Sequence, residues 1–214
     1  MQFLKDIRSY DKDIALRKKA LYSAVILAFG ILLGTVAKAL DETAVNELPK
    51  LFQYLDISNF LGRFSFWIFI AVCISIYSNS ALRAALNVFL FFVGMVSSYY
   101  IYSVLVAGFF PKSYAIIWFC ITLLSPLPAF LCWYAKGNGW VAIALSGLII
   151  GVLFSQAMIL LQGIRISHIT EVIVWVASLF VLKRKPKEFA IAIGISIPIA
   201  LVIQLLLPPF AFFG

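Results

Sequence analysis

The segment "RISHITEVIVW", residues 165–175, places the one histidine of the chain, His168, three positions before Glu171. Residues three apart are neighbours on a helix surface. An imidazole and a carboxylate so placed can pair as ions, share a proton or offer two ligands to a metal. Metal binding is the weakest of these readings, because a zinc site takes four ligands and no further histidine or paired cysteines accompany His168. Cys73, Cys120 and Cys132 stand singly in apolar runs, as small buried hydrophobes do. No serine-centred elbow, phosphate-binding loop or HExxH motif is present. No cofactor and no catalytic residue is therefore expected, and Glu171 as an intramembrane base specifies no particular reaction.

The elements that must carry these residues are apolar. Hydrophobic residues make up 64% of the 214 and charged residues 12%, with a mean hydropathy of +1.04. A soluble domain has roughly half and about a quarter. The expected fold is all-α, a polytopic transmembrane bundle with no room for a second, soluble domain. A helix needs about 20 apolar residues to cross a hydrocarbon core roughly 30 Å thick. Such stretches recur seven times, at 20–37, 60–77, 84–106, 114–134, 140–161, 166–182 and 189–207.

Before them, Phe3, Ile7, Tyr10 and Ile14 recur at helical spacing with cations on other faces, which predicts an amphipathic helix lying on the membrane. The chain divides accordingly into a cytoplasmic segment, 1–19, and one membrane domain, 20–214. The cationic prefix and following apolar run imitate a secretory signal, but the run exceeds the usual apolar core of one, so it is expected to remain as the first span.

The formal charge of +8 does not point to nucleic acid, because the cations cluster beside apolar spans, as cytoplasmic anchoring charges do. The two richest clusters, the N-terminal prefix and "KRKPKE" at 183–188, must share a side. Six crossings between them and one beyond put the N-terminus in the cytoplasm and the C-terminus outside, in the cell membrane of what reads as a bacterium.

Rise along a helix converts position into depth. Counted back from Lys183 at about 1.5 Å per residue, Glu171 lies roughly 18 Å, His168 about 22 Å and Arg165 about 27 Å above the inner boundary. Gln156, Gln204, Tyr99 and Tyr102 come out near the same level. Polar side chains in lipid are unfavourable unless they face protein or water, so this grouping predicts an outward-facing pocket for a small solute. The competing expectation is a closed network in which Glu171 pairs with His168, Arg63 or Arg165. Tyrosine belts and interhelical glutamines also occur without any ligand.

Small residues mark helix contacts. Gly147 and Gly151 form the GxxxG of "GLIIG", and Ala20, Ala24 and Ala28 form a longer stripe on the first span. Pro126 and Pro128 in "SPLP" predict a kink within 114–134. The segment 41–60 is expected to lie along the outer surface, turning helical near Pro49, with Ser58 or Asn59 capping the second span.

Two resemblances follow from these residues. The stripe of Ala20, Ala24 and Ala28, the small size and the cationic ends resemble the membrane-embedded S components of energy-coupling-factor vitamin transporters. That likeness implies docking of a coupling subunit through the first helix and a pocket opening outward, in a family that typically has six spans. The run from "SSYYIYS" to "YAKGNGW", 97–140, is similar to uncharacterised multi-pass proteins of Gram-positive bacteria, which implies no activity. The functional expectation is an integral membrane protein that binds or moves a small solute through Glu171, His168, Gln156, Gln204, Tyr99 and Tyr102. The alternatives are a non-catalytic membrane partner working through the alanine stripe of the first helix or the GxxxG, and an intramembrane enzyme using Glu171 as base. Either way the bilayer is the solvent of the chain.

Overall fold

A computed structural model describes residues 6–9, 15–161 and 164–207. Of the N-terminal periodicity, Phe3, Tyr10 and Ile14 lie outside the described residues, and Ile7 is buried. The described chain is almost wholly helical, and its apolar helices are those of an integral membrane protein. Four helices are long and apolar enough to cross a bilayer: α1 (Leu16–Glu42), α5 (Ala81–Leu105), α8 (Gly139–Ala157) and α10 (Pro186–Leu206). A fifth candidate span is the pair α6 (Lys112–Leu124) and α7 (Pro126–Tyr134), bent by 45° at Ser125. The bend falls where Pro126 cannot donate a backbone hydrogen bond.

The remaining apolar helices are shorter. α4 (Phe64–Tyr77) has 14 residues and α9 (Ile169–Val181) has 13, so each rises only about 20 Å. Neither covers a core near 30 Å alone. Between α1 and α4 lie a 3-10 turn (Val45–Glu47), α2 (Lys50–Tyr54), which starts directly after Pro49, and α3 (Ile57–Gly62). Ser58 Oγ donates to Leu40 O, 3.1 Å, and Asn59 to Asp56, 2.7 Å. The helix expected to run unbroken over 60–77 is thus interrupted at Arg63, between α3 and α4.

The contacts form two compact units. One comprises the described residues of Tyr10–Gly62, together with Ile74–Trp133. Its centre is the packing of α1 on α5, and the glycines explain it. A β-carbon on Gly30 would meet the Phe91 carbonyl, one on Gly34 the Met95 carbonyl, and one on Gly94 the Leu27 carbonyl. The two backbones approach closely because these side chains are missing. Towards the start of both helices, Asn87 joins Ser23 at 2.8 Å and Ser78 at 3.1 Å, while Arg83 donates to Ser23 Oγ and Lys19 O at 2.5 Å each. Ser80 caps α5 by accepting from Arg83 N.

The other unit comprises described residues of Met1–Ser9, Arg63–Cys73 and Tyr134–Gly214. Here α8 packs on α10, with Gly147 facing Ala192 and Ile195, and Gly151 facing Ser196 and Ile199. Between α8 and α9 the chain forms a two-stranded antiparallel hairpin, β1 (Met158–Ile159) with β2 (Arg165–Ile166). This corrects the continuous helices expected at 140–161 and 166–182. The hairpin is made possible by Gln204 of α10, which is buried. Its amide oxygen accepts from Leu160 N, 2.9 Å, and its nitrogen donates to Ser155 O, 2.9 Å, and to Met158 O. A glutamine thus supplies the partners that backbone leaving a helix would otherwise lack.

Candidate functional site

Glu171 lies in the first turn of α9, where the helix dipole favours an anion. Arg63 stands at the α3–α4 break, and Ser65 sits one turn-position into α4. These elements close four bonds on one carboxylate. Its Oε1 accepts from Arg63 Nε at 2.5 Å and Ser65 Oγ at 3.2 Å. Its Oε2 accepts from Thr170 Oγ1 at 2.8 Å and Arg63 Nη2 at 3.4 Å. Arg63 Nη2 also donates to Thr170 Oγ1, 3.2 Å. The Glu171 side chain is 2% exposed and that of Arg63 15%.

The chemistry of this arrangement is that of a closed buried ion pair. A carboxylate holding an arginine in two places and two hydroxyls has its lone-pair directions occupied. Removing a proton from a substrate would first require Arg63 to leave.

Compared with family models, curated proteins and solved structures, the chain finds no match.

The other residues expected in the pocket fall as follows. His168 is the residue before α9, in extended rather than helical conformation, exposed, with Nδ1 3.0 Å from Ser167 Oγ. The depths counted for His168 and Arg165 do not apply, because helical rise begins only at Ile169. Gln156 is half-buried near the end of α8, its Nε2 3.4 Å from Ser155 Oγ. Gln204 is engaged with the hairpin. Glu171, His168, Gln156 and Gln204 belong to one unit, Tyr99 and Tyr102 to the other.

In that second unit Tyr99 donates to Asp41 Oδ2 at 3.0 Å. Lys38, whose ammonium stands 5.2 Å from the Tyr99 ring centre, bonds Asp41 at 2.7 Å and Glu42 at 2.5 Å. Tyr102 is half-buried. A groove of about 430 Å³ in this unit is lined by apolar residues including Ile101, Val104, Leu105 and Phe119, with Tyr100 rather than Tyr99 or Tyr102.

Among the described residues no group of three or more histidine, cysteine or acidic side chains converges. Sequence reasoning missed three things: the role of Thr170, the cluster around Lys38, and the glycines of the first span. The last was legible, since "GILLG" has the same spacing as "GLIIG".

The alanines lie elsewhere on α1. Ala20, Ala24 and Ala28 are all exposed, whereas Gly30, Gly34 and Ala37 are buried. The helix therefore carries two small-residue faces, one occupied by α5 and one bare.

Proposed function

We infer that this protein is a non-catalytic partner of another membrane protein, which it engages through the bare face of α1. The observation that carries this reading is the exposure of Ala20, Ala24 and Ala28 together on a helix whose glycines already serve α5. Within lipid no hydrophobic force drives helices together, so association depends on close backbone packing, which small residues at every fourth position permit. The likeness to S components supports the same face.

The outward-pocket reading draws on residues whose bonds count against it. Glu171 is held by Arg63, Gln204 by the hairpin and Tyr99 by Asp41. A solute would have to displace each of them. In the topology that goes with the partner reading, the chain crosses seven times with the N-terminus in the cytoplasm. α4 crosses together with α3, and α9 together with the hairpin that precedes it.

Site-specific photo-crosslinking in native membranes tests the partner. A crosslinker at Ala24 should give one discrete protein adduct, and the same probe at Phe29, which is also exposed but on another side of α1, should give lipid adducts alone. Adding Ala20→Leu and Ala28→Leu should abolish the protein adduct while the protein stays folded. Lipid adducts at both positions would refute the reading.

A further inference from the structure

Serines inside the apolar helices return their hydroxyls to a carbonyl of their own helix: Ser98 to Met95 O, Ser178 to Trp175 O and Ser196 to Ile193 O. A hydroxyl surrounded by lipid needs such a partner. Two residues of α5 depart from this pattern. Neither Ser97 nor Tyr100 bonds any described residue through its hydroxyl. They stand three apart, so they are neighbours on one face of the helix. Both line the groove of about 430 Å³ that α5 shares with Phe110 and Phe119.

The two hydroxyls differ in setting. Ser97 is exposed. Tyr100 is only 6% exposed, its ring held edge-on by Tyr99 at 5.2 Å and by Phe110 at 5.5 Å, and tilted against Phe119 at 5.8 Å. Among the described residues, Trp175 Nε1 is the one fully buried side-chain polar atom without a partner. The unbonded Tyr100 hydroxyl therefore reaches the surface, and the groove that Tyr100 lines is where it does so. Three rings fix this donor in place and leave it unanswered.

Depth in the bilayer narrows what can answer it. Gly34 of α1 packs on Met95, so Lys38, one turn further, comes level with Tyr99, whose ring centre is 5.2 Å from the ammonium. Asp41 and Glu42 follow, both exposed. Exposed charges mark the boundary between water and hydrocarbon, and Tyr100 lies beside it. The groove runs from Leu105 near the helix end to Ser97, about 12 Å deeper. It thus straddles the boundary, where the headgroup, esters and upper chains of a phospholipid follow one another. Lys112, exposed and bonded to no described residue, stands in sequence between Phe110 and Phe119.

We propose that the Ser97 and Tyr100 hydroxyls donate to the ester carbonyls of a diacyl phospholipid, one chain of which lies in the groove. A diacyl lipid carries two such acceptors close together and no donor beside them, so it complements two donors set in an apolar wall. Its phosphate has Lys112 as the matching charge. The site belongs to α5 and α6 and is independent of the alanine face of α1.

The test is native mass spectrometry of the full chain, released from micelles that hold equal amounts of two phosphatidylcholines of one chain length. One is ester-linked; the other is ether-linked and lacks both carbonyls. The unaltered protein should retain one lipid, favouring the ester form by roughly fivefold or more, as one to two net hydrogen bonds would give. Ser97→Ala and Tyr100→Phe, which remove oxygens and no packing, should each lose part of that preference, and the double variant all of it. Val104→Trp, which fills the groove, should lose the adduct. Equal retention of the two lipids by the unaltered protein, or an unchanged preference in the double variant, would overturn the site. So would a lipid-free dimer that Val104→Trp disperses, which would give the groove to a second copy of the chain.

Discussion

A single carboxylate shows how far chemistry in this protein depends on its neighbours. Glu171 stands alone in the apolar part of its helix in sequence, yet in the fold it accepts four hydrogen bonds from Arg63, Ser65 and Thr170. Truncating one member of a buried ion pair leaves the other charge uncompensated, which destabilises by about 3–5 kcal/mol. Glu171→Gln and Arg63→Gln should each lower the unfolding free energy by about that amount. The double variant Arg63→Met/Glu171→Leu should recover most of the loss, since no lone charge remains buried. Thermal or denaturant unfolding in detergent measures this. Single variants as stable as the parent would mean that water reaches the pair freely. Arg63 was one of three partners the sequence allowed. The choice among them needed the third dimension, because Arg63 and Glu171 are 108 positions apart.

At the scale of the helix, the glycines of α1 and α5 separate packing from propensity. In an exposed helix interior, alanine is favoured over glycine by about 1 kcal/mol. Gly194 of α10 fits that case, because nothing lies within 4 Å of the β-carbon it would gain. Gly194→Ala should therefore be neutral or slightly stabilising. Gly30→Ala and Gly34→Ala would instead press a methyl group on the carbonyls of Phe91 and Met95. Backbone cannot rotate aside as a side chain can, so each should destabilise by roughly 1–3 kcal/mol, the usual range for overpacking. Melting temperatures of the three variants, compared side by side, give the answer. Equal effects at all three positions would mean that α1 and α5 do not touch through their glycines. The proline kink was legible beforehand because proline acts on its own helix. The hairpin was not, because it depends on Gln204 from another helix, and its residues are apolar enough to read as span.

For the whole molecule the number of crossings decides which loops share a side of the membrane. Four helices, or five with the bent pair, qualify by length and composition, and the cationic clusters argue for seven. With the native cysteines replaced by serine, a cysteine at position 167 should react with an impermeant thiol reagent added outside intact cells. One at position 138 should react only after the membrane is opened. Labelling of position 138 from outside would exclude the arrangement in which the N-terminal cations face the cytoplasm.

Hydropathy and charge are sums over neighbouring residues, so the sequence alone determined that this is a helical membrane protein, where its apolar segments run and which helix is bent. Hydrogen bonds between distant residues are not sums of that kind. Only the tertiary structure decided that Glu171 and Gln204 bond to protein and that α1 offers its alanines while burying its glycines. Nor could sequence show that Arg184 bonds the loop between α7 and α8 at the carbonyls of Ala135 and Gly137. In each case the partner comes from a remote part of the chain, and a polar group in an apolar setting is governed by the partner it finds.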